Sequence, residues 1–125
     1  MIAFTRIAAS FGATGVLLGA FGAHGLKATL EAHNAVAMWQ TASWYHLLHA
    51  AVLLCLATRS QINRLAFKLL SFGILVFSGS LYALALTSIK PLGAVTPFGG
   101  LLLIAGWIAL CFPHANPPNA QNSGH

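Results

Sequence analysis

The chain has 125 residues, of which 58% are hydrophobic and only 6% charged, with a formal net charge of +5. Ordinary soluble domains carry about 25% charged residues, so no water-facing surface of the usual kind can be built from this composition. The seven charged side chains, Arg6, Lys27, Glu31, Arg59, Arg64, Lys68 and Lys90, stand apart between apolar runs, which excludes the basic stripe that nucleic-acid binding requires and marks them as determinants of membrane topology.

In chain order, residues of about 4–23 form the first apolar run. At 1.5 Å per residue it is long enough to cross a hydrocarbon core of about 30 Å. Arg6 before the run and the small residues Ala20 and Ala23 after it also suit a cleaved signal peptide, but the run is long and glycine-rich and further spans follow it, which favours a retained helix. From His24 to Gln40, Lys27, Glu31, His33 and Asn34 alternate with Leu26, Leu30, Ala37 and Met38, an incomplete helical period that predicts a short helix lying in the interface.

The second span is predicted at about 41–58, opened by Trp39, Trp44 and Tyr45, whose amphipathic rings favour the headgroup level. Arg59 to Arg64 is a polar turn. The third span is predicted at about 65–87, where Lys68 is near enough to the start to extend its stem and place its ammonium among headgroups. The fourth is predicted at about 93–112, with Pro97 in its first turn, where a proline forfeits no intrahelical hydrogen bond. Residues 113–125 make a Pro, Asn and Ser tail, which includes His114 and His125, has nothing to bury and is predicted disordered.

The predicted fold class is therefore all-α, an integral membrane four-helix bundle of antiparallel up-down topology in one domain over 1–112, with a short interfacial helix between spans one and two. Arg6, Arg59, Arg64 and Lys68 fall on one side of such a bundle, Lys27 and Lys90 on the other. The positive-inside rule then puts both termini on the cytoplasmic side.

Between helices in lipid there is little hydrophobic drive, so small residues that allow close backbone approach are the best packing signal. Gly12, Gly15, Gly19 and Gly22 are spaced by three, four and three residues and are expected on one stripe of the first span. Gly79 in the third span and Gly99, Gly100 and Gly106 in the fourth offer further approach points. The lipid bilayer is the expected partner, with a second copy or another membrane protein as the occupants such stripes also fit.

His46 and His49, three residues apart in the second span, are ionisable groups below the interface, where such groups are candidates for function. His24 ends the first span on the same side, and together the three imidazoles would give three ligands and one open position to zinc or another divalent metal. The alternative is that His46 and His49 bond to hydroxyls or backbone carbonyls of neighbouring helices, or sit where water reaches them. No cofactor beyond that metal is predicted. Cys55 and Cys111 form no CxxC pair and read as small packing residues. Nucleophile elbow, phosphate loop and paired carboxylates are all missing from the sequence, which makes an enzyme the weaker hypothesis.

Four ordered motifs carry a family resemblance: Gly19 to Leu26 (GAFGAHGL), Tyr45 to Ala50 (YHLLHA), Phe77 to Tyr82 (FSGSLY) and Thr96 to Gly100 (TPFGG). Over about Arg6 to Phe112 the chain resembles the small multi-span proteins of unknown function that include bacterial inner-membrane members and eukaryotic transmembrane protein 256. The resemblance implies a four-span inner-membrane protein and no particular activity. Three functions stay open on the sequence: a non-enzymatic bundle acting through protein or lipid contacts, a small transport unit with a histidine-lined path, and a metalloprotein using His24, His46 and His49.

Overall fold

A computed structural model describes residues 2–112; the predicted tail at 113–125, with His114 and His125, lies outside the described residues. The chain is all-α, with no strand among the described residues. Its helices are α1 (Ile2–Ala23), α2 (Lys27–Ala32), α3 (Val36–Ala57), α4 (Arg64–Thr87) and α5 (Thr96–Leu110), and a 3-10 turn at Lys90–Ala94 leads into α5. Ile2–Ala23, Arg64–Thr87 and Lys90–Leu110 are long and apolar enough to cross a membrane. With 22 residues, α3 has the length, but Gln40, His46 and His49 dilute its apolar content.

Local chemistry sets the helix ends. Asn34 at φ 54° breaks the chain after α2, a left-handed conformation that Asn tolerates better than most residues. Nothing after it resists helix, so α3 starts at Val36, more than a turn before residue 41, and takes in Trp39 and Gln40. At the start of α4, the Asn63 side chain accepts a hydrogen bond from the Ala66 N–H at 3.0 Å and donates one to the Ala109 carbonyl at 3.1 Å. That residue both caps one helix and ties it to the last turn of another. Ser88 closes α4 in the left-handed region at φ 57°, and Pro97 lies in the first turn of α5, where its missing N–H costs nothing.

Each long helix packs on the next in the chain: α1 on α3, α3 on α4, and α4 on α5. Contacts along each pair run in opposite senses. Gly22 meets Trp39 while Gly15 meets Leu47; the Ser78 hydroxyl donates to the Ala42 carbonyl at 2.8 Å, and the Trp39 ring packs at a tilt on Tyr82. The Ser80 and Thr96 hydroxyls are 2.6 Å apart, while Gly106 meets Leu70. The result is an up-down arrangement, in which the first and third long helices are bridged by Phe4 edge-on to Phe67 at 4.9 Å. That contact brings Arg6, Arg64 and Lys68 to the end of the bundle formed by the α3–α4 turn.

Only some glycines take the place the spacing gave them. A Cβ at Gly15 would lie 2.7 Å from Leu47 Cδ2, and one at Gly22 would enter the Trp39 indole. Gly12, Gly19 and Gly79 meet nothing within 4 Å, and Gly100 only the rim of the Phe77 ring at 3.8 Å. Gly12 and Gly19 are therefore not at a helix contact within the chain. Three helical residues turn about 300°, so positions 12 and 15 point about 60° apart and a single neighbour reaches one of them. Gly99 and Gly106 of α5 are at contacts with α4, and Gly73 of α4, which the spacing did not single out, is at a contact with α5; a Cβ there would lie 2.6 Å from Leu103 Cδ2.

Two apolar clusters form the interior. One, around Leu53, Phe67, Leu70 and Leu103, fills the end near the α3–α4 turn; the other, around Leu30, Trp39, Ala42 and Tyr82, fills the end that carries α2. His46, His49, Ser78 and Ser80 are buried, while Trp44, Phe72, Phe98 and Leu101 are exposed. Polar groups inside and large apolar groups outside suit a solvent of hydrocarbon, where backbone and buried side chains must find partners within the protein.

A buried polar layer and an interfacial groove

Between the two apolar clusters, α3 presents His46 and His49 to different neighbours. His46 faces α1 and α4. Its Nε2 lies 3.4 Å from the Thr14 hydroxyl, its Nδ1 lies 3.1 Å from the Tyr82 hydroxyl, and that hydroxyl is 3.4 Å from Ser43 Oγ. Gly15 makes this approach available, since a Cβ there would sit 3.3 Å from His46 Cδ2. Thr14 in turn bonds to the Ser10 carbonyl of its own helix at 2.9 Å.

His49 faces α5. Its Nδ1 is 2.7 Å from the Tyr45 carbonyl, a pure acceptor, so Nδ1 carries the hydrogen; its Nε2 then accepts from the Trp107 indole N–H at 3.0 Å. Both ring nitrogens are committed and the tautomer is fixed.

The three predicted metal ligands do not converge. His46 and His49 diverge by about 60° around α3, and each points at a separate helix. His24 is exposed just beyond α1; nine residues past Gly15, it is about 14 Å farther along the axis. Among the described residues no three His, Cys, Asp or Glu side chains are grouped so as to hold a metal ion. His46 meets hydroxyls of neighbouring helices, Thr14 of α1 and Tyr82 of α4, whereas His49 meets a carbonyl of its own helix and the Trp107 indole of α5.

Sequence reasoning passed over Thr14, Ser43, Tyr82 and Trp107, the partners themselves. Thr14 and Tyr82 sit in the first and third spans at the spacing of ordinary helix residues, and only the packing of α3 between those spans gives them a role. His33, given no role, accepts one as well: its Nδ1 lies 3.0 Å from the Ala85 carbonyl, pinning the α2–α3 link to the last turns of α4.

A second feature lies at the α2 end, where α1, α2 and α3 enclose a groove of about 440 Å³. Its floor is Gly19, which meets nothing within 4 Å; Lys27 and Glu31 of α2 and Gln40 and Ser43 of α3 line it, with Trp44 and Leu47 on the deeper side. Trp39 forms part of the wall, and its indole N–H is used up on the Leu18 carbonyl at 2.8 Å. The charged and amide groups of the groove thus lie at its α2 end, where Leu30 and Val36 also line it, and its deeper side is apolar. Gly19, Lys27, Glu31, Trp39 and Trp44 stood out in the sequence for other reasons, but the groove itself did not, because three separate segments contribute it.

Residues 18–100, which contain this groove and most of the polar layer, match the family described as protein of unknown function (DUF423). The chain is 46% identical to a UPF0382 membrane protein of Staphylococcus saprophyticus over 97 residues, covering 74% of this chain and 79% of the relative. It is 42% identical to the UPF0382 membrane protein YwdK of Bacillus subtilis over 99 residues, covering 74% and 80%. A UPF0382 membrane protein of Haemophilus influenzae is 41% identical over 101 residues, covering 78% and 81%. No solved structure matches the chain. The chain belongs to the DUF423 family and is a helical membrane protein in contact with the lipid bilayer.

Proposed function

We propose that this DUF423 member is a four-crossing protein of the bacterial inner membrane that catalyses no reaction and works by holding a lipid in the groove between α1, α2 and α3. The groove carries this reading: its charged lip and its glycine floor and apolar depth follow the polarity profile of a phospholipid. In this reading α3 is the fourth crossing. Its histidines turn inward, so the surface it offers to lipid is Trp44, Tyr45, Leu48 and Leu54, all exposed. The α2 end, with Lys27 and Lys90, faces away from the cytoplasm, while Arg6, Arg59, Arg64 and Lys68 lie on the cytoplasmic side with both termini.

Native mass spectrometry of protein purified in mild detergent tests this. The expected result is a phospholipid retained on each chain, and its loss in Gly19→Leu. That side chain enters open space in the groove, so the variant should keep its thermal transition. A wild-type chain that carries no phospholipid, or a Gly19→Leu chain that retains it undiminished, overturns the reading.

A specific observation favours a second reading, a proton path. Thr14, His46, Tyr82 and Ser43 form a file of groups that are each capable of donating and accepting a hydrogen bond, with the Tyr82 hydroxyl donating to Ser43. Ser43 opens on the α2-end groove, and Thr14 on a second groove with Arg6 and Ser10 toward the other end. In vesicles with an imposed pH gradient, this reading expects faster decay of the gradient with protein than without, and loss of the difference in Tyr82→Phe. Decay equal to that of empty vesicles removes it.

A further inference from the structure

Lys27 and Glu31 are four residues apart on the six-residue α2 and line the same groove. That spacing brings Cβ atoms to about 5–6 Å, which is the usual setting for an intrahelical ion pair. No such pair forms, and no other partner is shown for either side chain among the described residues. The order of the two is the reason at hand. A lysine N-terminal to its glutamate is the weaker arrangement of an i, i+4 pair, and it is less compatible with the helix dipole. A cation and an anion therefore stand side by side at the lip of a groove, both exposed and both free to meet a ligand of the opposite polarity.

Resting on the reading that the groove holds a lipid, we infer that it selects a phospholipid whose headgroup joins a primary ammonium to its phosphate, the phosphatidylethanolamine class. Glu31 takes the ammonium and Lys27 the phosphate. Glu31 is the one acidic side chain in the sequence, and it lines the groove. A primary ammonium also has three N–H donors to place, and the Gln40 amide and the Ser43 hydroxyl also line the groove as further acceptors.

Other headgroups fit less well. A quaternary ammonium has no N–H to donate and is recognised by aromatic faces around it. Here Trp39 is 3% exposed, already packed against Tyr82 and Gly22, which leaves Trp44 as a single open indole rather than a cage. An anionic headgroup without a cation would satisfy Lys27 and leave Glu31 beside the phosphate with no cation of its own.

The experiment is competition among phosphatidylethanolamine, phosphatidylcholine and phosphatidylglycerol of identical acyl chains. They are added in equal amounts to delipidated full-length protein in detergent, and retained lipid is read by native mass spectrometry. A charge-assisted hydrogen bond gained by one lipid alone predicts about tenfold preference for phosphatidylethanolamine. Glu31→Gln should abolish that preference, and Lys27→Gln should weaken all three lipids together, since each has a phosphate. Both positions are exposed, and the variants should melt as the wild type does. Equal retention of the three lipids by the wild type, or a preference that survives Glu31→Gln, overturns the headgroup inference and leaves the groove reading standing. A wild type that retains none of the three overturns both.

Discussion

Alanine at position 99 is expected to be among the most damaging single changes in this protein, at about 3 kcal/mol or more of lost stability. A Cβ there would strike the backbone of Phe77, lying 2.6 Å from its Cα and 2.7 Å from its Cβ. A flexible side chain could swing away, but backbone in the middle of α4 cannot move without carrying the helix with it. α5 must then separate from α4, which strains the Ser80–Thr96 hydroxyl pair and the Asn63–Ala109 bond at either side of the contact. Thermal unfolding in detergent, followed by circular dichroism, measures the effect. Gly79→Ala on α4 is the control. It meets open space and should stay within about 0.5 kcal/mol of the wild type. Equal losses at 79 and 99 would mean that α4 and α5 do not approach as described.

Trp39→Ala should cost a comparable amount, about 3–5 kcal/mol. The ring is 3% exposed, donates its N–H to the Leu18 carbonyl at 2.8 Å and packs on Tyr82 with ring centroids 4.6 Å apart. It closes the α2 end of the bundle by filling the space that Gly22 leaves. The two positions should therefore be coupled. Gly22→Ala alone forces the indole out of its site, whereas Gly22→Ala in a Trp39→Phe background should cost less than the sum of the single changes by about 1 kcal/mol or more. Strict additivity in the same unfolding assay would show that Gly22 and Trp39 do not share a contact.

Membrane character and the number and approximate bounds of the long helices could be read from residues alone, because length and hydropathy are properties of a segment. The polar turn at Arg59–Arg64 and the proline at 97 work within a few residues of themselves, and they lie where α4 and α5 begin. The start of α3 was less legible, since one residue, Asn34 in a left-handed conformation, decides whether the interfacial segment continues or breaks, and Asn is compatible with both.

Which face of each helix meets a neighbour is a different kind of fact. Glycine spacing put Gly12, Gly15, Gly19 and Gly22 on one broad stripe, yet α3 contacts only the half that holds Gly15 and Gly22, and Gly19 instead floors the groove. The i, i+3 spacing placed His46 and His49 within about 60° of each other, close enough to suggest a shared ligand. In the packed protein that angle is enough to send one to Tyr82 and Thr14 and the other to Trp107.

The sequence by itself determined that this protein lives in a bilayer as an all-α bundle, because a chain with so few charges has no other solvent that accepts its surface. It also placed two ionisable side chains, His46 and His49, within the second span, though not beside what. Tertiary structure alone decided their partners and assembled the groove from α1, α2 and α3. Side chains distant in the chain become neighbours only when helices choose their faces, and in lipid that choice rests on close packing and hydrogen bonding, which segment hydropathy does not encode.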